Sequence, residues 1–330
     1  MPPPPATVTT RAPGKVNLTL EILGKRPDGY HDLRSVLLPV SLYETITVTE
    51  RADGGVTCHT DSDGGVALSA LRHLPLEEQL AVKALRVMQR LCGAERRGAD
   101  ISIIKRVPIG AGMGGGSADA AGVMRALCEL WNADIPEEDL LAAAASIGSD
   151  VPALLAGGPV LMEGRGERIT RLAPPCDNMV MPDGLPPLAS ILTHGFFPSK
   201  PLPQSKLHLV VVFPDIAVPT KSIYQNFYAG RKPCESASAA AIRAVLDGDA
   251  RAAAAAMVND LQDTVFRLHP EIIRFRDLLL EAGALAAQVS GSGSALFGIA
   301  NNAAHAVKIQ SRLPADTWSR ALETVSSSAF

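Results

Sequence analysis

The stretch Pro108-Ile109-Gly110-Ala111-Gly112-Met113-Gly114-Gly115-Gly116-Ser117 lies between a segment with the pattern of a strand and one with the pattern of a helix. Five of the seven residues from 110 to 116 are glycine, which lets backbone N–H groups converge on an anion. A helix that begins near Ser117 adds unpaired N–H groups and the positive end of its dipole. The stretch therefore predicts a site for the phosphates of a nucleotide. The alternative is a flexible connection without a ligand.

Two common nucleotide-binding patterns are missing from this stretch. It does not end in the G-K-[ST] of a P-loop, and it lacks the spacing of a Rossmann fingerprint after the first strand of the chain. A second cluster, Ser290-Gly291-Ser292-Gly293-Ser294, lies between two short apolar segments in the other half of the chain. Glycine and serine are ordinary turn residues, so this cluster alone is a weak signal. Two such loops in one chain favour a phosphate-binding protein.

Two charged residues stand next to apolar segments. Lys15 lies within residues 12–17, a predicted strand, where the alternative is a solvated charge at the edge of a sheet. Asp150 lies within residues 147–152, and we expect it between the end of a helix and an apolar strand. The alternative for Asp150 is an ordinary turn aspartate. Neither residue indicates chemistry without the glycine-rich loops.

Outward from the first glycine-rich stretch, the patterns predict an α+β protein. Alternating β-branched and apolar residues with turn signals between 8 and 50 predict a mostly antiparallel sheet. Helical spacing appears at 77–91, 117–130 and 136–145, with a strand at 99–106. The second half predicts a strand at 207–213, alanine-rich helices within 236–257, a helix at 270–282, strands at 286–290 and 295–299, and a helix at 302–312.

The length of 330 residues and the 47% apolar composition favour two domains. We expect an N-terminal domain over 1–173, a proline-rich connecting insertion over 174–205, and a C-terminal domain over 206–330. The formal charge of -3 offers no diffuse attraction for nucleic acid or an anionic membrane. The five scattered cysteines show no metal-binding spacing, and no segment has the pattern of a membrane span or a secretion signal. These features predict a cytoplasmic protein without a resident metal.

Four segments together resemble the successive motifs of GHMP kinases, in that family's order and approximate spacing. They are residues 12–17, 108–117, 148–152 and 290–294. The resemblance implies an ATP-binding N-terminal domain similar to the second domain of ribosomal protein S5, followed by a ferredoxin-like C-terminal domain. Residues 24–31, Gly-Lys-Arg-Pro-Asp-Gly-Tyr-His, resemble the subfamily that phosphorylates cytidine diphosphate methylerythritol in the non-mevalonate route to isoprenoid precursors.

The resemblance also implies roles for individual residues. Lys15 and Asp150 match the catalytic pair, and the substrate is the small-molecule partner. The remaining positions are, for ATP, Pro108, Ile109, Gly110, Ala111, Gly112, Met113, Gly114, Gly115, Gly116, Ser117 and Ala118; for the substrate, Asn17, Tyr30, His31 and Thr220; and near the phosphates, Gly291, Ser292 and Gly293. The implied cofactors are ATP and Mg²⁺, and we expect a monomer or a weak homodimer.

The sequence departs from the family pattern at two places. Glu78-Gln79 stand where the family usually has Asp-Asn beside the adenine. Asp119 stands where asparagine is frequent, and we assign its carboxylate to the helix dipole because it would repel phosphate if it faced the nucleotide. Two alternatives remain: a GHMP kinase for another alcohol, such as mevalonate or homoserine, and a nucleotide-binding regulator without catalysis. Retention of both Lys15 and Asp150 argues against the regulator.

Overall fold

The computed structural model describes residues 5–63, 66–69, 74–172, 206–227 and 237–325. The predicted insertion at 174–205 lies outside the described residues. Helices and strands alternate along the described chain in a mixed arrangement, which confirms the α+β prediction.

A larger, mostly antiparallel sheet carries the N-terminal half of the chain. The long strand β3 (His31–Arg51) pairs with β1 (Thr7–Asn17), and the register of this pair shifts between Pro13 and Lys15. Solvent exposure alternates over residues 7–11 of β1 and 41–49 of β3, as expected of strands, whereas residues 12–17 and 35–40 are buried throughout. The other strands of this sheet are β2 (Thr19–Lys25), β4 (Val56–Ser62), β5 (Gly98–Lys105), β6 (Val160–Gly164), β7 (Arg168–Arg171) and β9 (Val258–Asn259).

A smaller sheet lies in the C-terminal half. Its strands are β8 (His208–Phe213), β10 (Ala287–Val289), β11 (Leu296–Ala300) and β12 (Trp318–Glu323), in the order β10-β11-β8-β12. All three pairings in this order are antiparallel. The second glycine cluster is the turn between β10 and β11, as predicted.

The helices match the predicted positions closely where the periodicity was strong. Those of the N-terminal half are α1 (Leu80–Leu91), α2 (Gly115–Trp131), α3 (Glu137–Ala145) and α4 (Val151–Ala156). Those of the C-terminal half are α5 (Thr220–Gln225), α6 (Ala237–Asp247), α7 (Ala250–Ala255), α8 (Gln262–Leu268), α9 (Ile273–Glu281) and α10 (Ala303–Arg312). Short 3-10 turns at Leu76–Glu78 and Pro270–Ile272 precede α1 and α9.

The strand predicted after Asp150 is wrong, because α4 follows instead. Its sequence, Val-Pro-Ala-Leu-Leu-Ala, is buried at every position. A short segment that is apolar throughout has no helical periodicity, so a buried helix and a buried strand cannot be told apart by pattern. The useful signal was Pro152, because proline is favoured in the first turn of a helix.

The apolar cores extend across both halves of the chain. One cluster joins Leu37 of β3 to Val212 of β8, and another joins Leu38 to Phe297 of β11. The division into two domains therefore stays a prediction. Within the described ranges, no helix has the length and apolar character needed to cross a membrane.

Candidate active site

A cavity of about 870 Å³ lies where the two halves meet. Residues from both glycine-rich loops, from the β2–β3 turn and from α5 form its walls. The predicted site residues that line it are Lys15, Asn17, Tyr30, His31, Pro108, Ile109, Gly110, Ala111, Gly112, Gly114, Gly115, Gly116, Ser117, Asp150, Thr220, Gly291 and Ser292. Met113 and Ala118 are fully buried in the core, and together with Gly293 they lie behind this lining.

Lys15 and Asp150 form an ion pair at the centre of the cavity wall. The Lys15 Nζ lies 3.2 Å from the Asp150 Oδ2, and the two side chains are 4% and 25% exposed. The Lys15 ammonium also donates to the Asn17 Oδ1 at 2.7 Å. The Asn17 amide in turn donates to the Ser35 Oγ at 2.8 Å. This chain of buried contacts fixes the lysine, while the aspartate remains open to the cavity.

Asp150 is positioned by the helix that follows it. It occupies the N-cap position of α4, but its side chain makes no capping hydrogen bond, so the carboxylate is available to a ligand. The Arg125 guanidinium donates to the carbonyls of Leu154 and Leu155 at 2.9 and 2.6 Å. An arginine from α2 thus holds the C-terminal end of α4. Because α4 is only six residues long, this contact bears directly on the position of Asp150.

The two glycine-rich loops contact each other beside Lys15. The Ala295 N–H donates to the Ala111 carbonyl and the Ser290 hydroxyl donates to the Gly112 carbonyl, both at 3.0 Å. Gly112 has a φ of +73°, and a Cβ on it would lie 2.2 Å from the Ser290 carbonyl oxygen. Only glycine permits this approach. The sequence predicted both loops, and the structure brings them together.

The Thr220 hydroxyl joins the second loop to α5. It lies 2.8 Å from the Ser292 Oγ, and both residues line the cavity. Thr220 is the first residue of α5, so the helix runs from the glycine loop along the cavity wall. Tyr224, three residues beyond Lys221 on the same helix, also lines the cavity.

Tyr30 and His31 line the cavity beside Arg165 and Tyr224. The Tyr30 side chain is exposed, and its ring lies under the Arg165 guanidinium, with 4.3 Å from Cζ to the ring centroid. The His31 ring packs on Tyr224, with 5.5 Å between centroids. Burial, helped by the charge of Lys25, lowers the pKa of His31 below 6.5. At neutral pH this imidazole is uncharged and offers one donor and one acceptor.

A buried charge cluster, which the sequence did not reveal, lies under the first glycine loop. The Lys105 Nζ is 2.5 Å from the Glu44 Oε1 and 2.8 Å from the Asp119 Oδ2. A Cβ on Gly115 would lie 3.3 Å from both the Lys105 Nζ and the Glu44 Oε1. Burial raises the pKa of Glu44 to about 7, against the opposing charge of Lys105.

The assignment of Asp119 to the helix dipole is wrong. Its carboxylate faces Lys105 and the residue lines the cavity, so the lysine offsets the repulsion that motivated the assignment. Glu78 and Gln79 lie outside the cavity lining, and the neighbouring Leu80 contributes to it. Among the residues that the structure describes, no group of three or more His, Cys, Asp or Glu side chains could hold a metal ion.

Comparisons with known proteins cover both halves of this cavity. The family described as "GHMP kinases N terminal domain" matches residues 79–158, and "GHMP kinases C terminal" matches residues 240–319. The chain is 35% identical to the 4-diphosphocytidyl-2-C-methyl-D-erythritol kinase of Pelotomaculum thermopropionicum, over 92% of this chain and 93% of the relative. Identity to the enzyme of the same name from Streptomyces coelicolor is 36%, over 96% of each chain.

A solved structure is similar over almost the whole length. The crystal structure of 4-(cytidine 5'-diphospho)-2C-methyl-D-erythritol kinase superposes with a TM-score of 0.70 at 30% identity, covering 96% of this chain and 99% of that one.

Proposed function

The chain belongs to the GHMP kinase family, and from this premise we propose that it phosphorylates 4-(cytidine 5'-diphospho)-2-C-methyl-D-erythritol with ATP. The γ-phosphate goes to the 2-hydroxyl of the substrate. The reaction belongs to the non-mevalonate route of isoprenoid precursor biosynthesis. The relatives that carry this activity in their names are similar over more than nine tenths of the chain.

One observation carries the proposal: an ion-paired Lys15 and Asp150 face a single cavity together with two glycine loops in mutual contact. Phosphoryl transfer asks the protein for positioning and charge stabilisation rather than covalent chemistry. The glycine loops offer backbone donors for phosphates, and α2 points its N-terminus at the same place. A pure binding protein has no use for the lysine–aspartate pair.

The chemical step follows from this arrangement. The substrate hydroxyl oxygen attacks the γ-phosphorus, the bond from that phosphorus to the β,γ-bridging oxygen breaks, and ADP leaves. Asp150 accepts the hydroxyl proton. Lys15, 3.2 Å away, stabilises the ionised carboxylate and the negative charge on the transferring group. Asn17 holds the ammonium in place through its 2.7 Å contact.

The part of the cavity that Tyr30 and His31 line suits a cytidine. An aromatic ring on Tyr30 stacks on the base, and the neutral imidazole of His31 hydrogen-bonds to the base edge. Thr220 lines the part of the cleft next to the second glycine loop, where Gly291 and Ser292 approach the phosphates. The three sets of residues therefore offer places for the base, the alcohol and the phosphates in one cavity.

The residues present fit a magnesium ion that arrives with ATP. The position of a Cβ on Gly148 would be 4.0 Å from the Ser117 Oγ, so this hydroxyl lies across from the loop that carries Asp150. The Ser117 hydroxyl and the phosphate oxygens suit Mg²⁺, which usually keeps several waters as its remaining ligands. An ion held there would neutralise charge on the phosphates of ATP.

The direct test is ATP consumption with four alcohols: the cytidylylated methylerythritol, bare methylerythritol, mevalonate and homoserine. We expect turnover with the cytidylylated compound alone. Turnover with mevalonate or homoserine instead would identify a GHMP kinase for another alcohol. ATP binding without turnover of any of the four would identify a regulator. The domain division, a monomeric or weakly dimeric state and a cytoplasmic location complete the proposal.

A further inference from the structure

The stretch of cavity between the cytidine end and the catalytic pair needs a positive charge that the residues discussed so far do not supply. The proposed substrate carries a diphosphate between its base and its alcohol. Lys15 is already neutralised by Asp150. Four other basic side chains line the same cavity. Lys105 is paired with Glu44 and Asp119, and Lys25 lies beside His31 on the neighbouring strand. The remaining two, Arg165 and Lys221, lie on different elements.

Arg165 is fixed between the two ends of the site by the β6–β7 turn. The turn packs against the residue before Asp150, because a Cβ on Gly166 would lie only 2.4 Å from the Ser149 carbonyl oxygen. On its other side the Arg165 guanidinium lies over the Tyr30 ring, with Cζ 4.3 Å from the centroid. Arg165 therefore spans the distance from the catalytic aspartate to the proposed base-stacking ring.

Arg165 keeps charge available for a ligand. Within the described residues its guanidinium makes one ion pair, with Asp28, at 3.8 Å between the Arg165 Nη1 and the Asp28 Oδ2, while Glu167 accepts from the Arg165 backbone N–H. The same Asp28 oxygen lies closer to the Arg26 Nε, at 3.3 Å. The contact with Arg165 is long and solvent-exposed, and such pairs contribute little.

Lys221 has a matching position on α5. The residue before it, Thr220, contacts Ser292 of the second glycine loop, and Tyr224 one turn later packs on His31. Lys221 is exposed, lines the cavity and makes no ion pair with any residue in the described ranges. It too lies between the phosphate end and the cytidine end.

We propose that Arg165 and Lys221 bind the diphosphate of the substrate from different walls of the cavity, Arg165 from the N-terminal half and Lys221 from the C-terminal half. The proposal rests on the proposed function and deepens it. The pair makes the site selective for a nucleoside diphosphate ester over the uncharged alcohol. A guanidinium matches phosphate geometry with a forked pair of donors, and an ammonium acts as a point charge.

The test compares binding of cytidine and of CDP by calorimetry, with the ATP site filled by a non-hydrolysable ATP analogue. The variants are Arg165→Gln and Lys221→Gln. Lys308→Gln is the matched control, because Lys308 is an exposed lysine on α10 away from the cavity lining. Each of the two variants should bind CDP about tenfold more weakly, the loss typical of one charge-assisted hydrogen bond. Cytidine affinity, and CDP affinity in the control, should stay within about twofold.

Three results would overturn the proposal, and they differ in whether they also contradict the proposed function. Equal weakening of cytidine and CDP would place the two side chains at the base instead. Unchanged CDP binding in both variants would refute the diphosphate contact while the proposed function stands. Failure of the unaltered protein to bind either probe would remove the proposed substrate together with the diphosphate site.

Discussion

The contact between the two glycine loops makes Gly112→Ala the most informative single substitution. The new Cβ would lie 2.2 Å from the Ser290 carbonyl oxygen, whereas real Cβ atoms essentially never come within 3.0 Å of a neighbour. The loops must separate by at least about 0.8 Å. Such overpacking costs about 1–3 kcal/mol, and an alanine at positive φ adds about 1–2 kcal/mol. We expect the free energy of unfolding to fall by about 2–5 kcal/mol.

Gly110→Ala is the matched control for the backbone strain. Gly110 has nearly the same φ, +71°, but its Cβ would meet nothing within 4 Å. Denaturant unfolding should therefore show only the loss of about 1–2 kcal/mol that positive φ causes. Turnover of Gly112→Ala should fall about 100-fold, because a displacement near 1 Å misaligns reacting groups. Equal stability losses in the two variants would refute the view that loop contact depends on Gly112.

Two further predictions concern Tyr30 in the cavity wall and the buried Glu44 beneath the first glycine loop. Tyr30→Ala should weaken binding of the cytidine substrate by about 1–3 kcal/mol and leave ATP binding unchanged, because only base stacking is lost. Equal losses of affinity for the substrate and for ATP, measured by calorimetry, would show that Tyr30 does not contact the base. The pKa of Glu44 is raised from 4.5 to about 7 in the folded state. Between these two pH values the folded state keeps a proton that the unfolded state has released. The contribution of Glu44 to stability therefore falls as the pH rises from 4.5 to 7. Glu44→Gln should abolish most of this dependence of stability on pH, which amounts to about 1.4 kcal/mol per unit of pKa shift. Thermal unfolding measured across this pH range with the same slope in both proteins would contradict the raised pKa of Glu44.

Local signals explain how much of the fold and site was predictable. The glycine loops, Lys15 and Asp150 lie in short segments whose order matches the family, and the family matches confirm the fold class and the kinase activity. The roles of the individual residues stay predictions. The long strands β1 and β3 were predictable because β-branched and apolar residues alternate through this region, although residues 12–17 and 35–40 are buried throughout.

Contacts between distant residues explain what the sequence did not reveal. Lys105 contacts Asp119, 14 residues away in the sequence, and Glu44, which is much further away. No regular spacing in the sequence connects the three residues. Asp119 was assigned wrongly because its partner, Lys105, lies on β5, and the helical spacing around Asp119 carries no information about contacts with another element. Arg165 lies in a turn whose packing against Ser149 depends on Gly166, a contact visible only in three dimensions.

We propose that Lys15 and Asp150 act as one catalytic unit, and the turnover of the double variant Lys15→Met/Asp150→Asn is the measurement that tests it. A general base contributes about 10²–10⁴-fold, so each single variant should lose most of the rate. Groups that act as a unit give non-additive losses, so the double variant should be scarcely slower than the worse single one. ATP affinity should survive in Asp150→Asn, since we propose that the glycine loops and magnesium hold the nucleotide. Fully additive rate losses, or near-normal turnover in Asp150→Asn, would show that the two residues do not act as one catalytic unit.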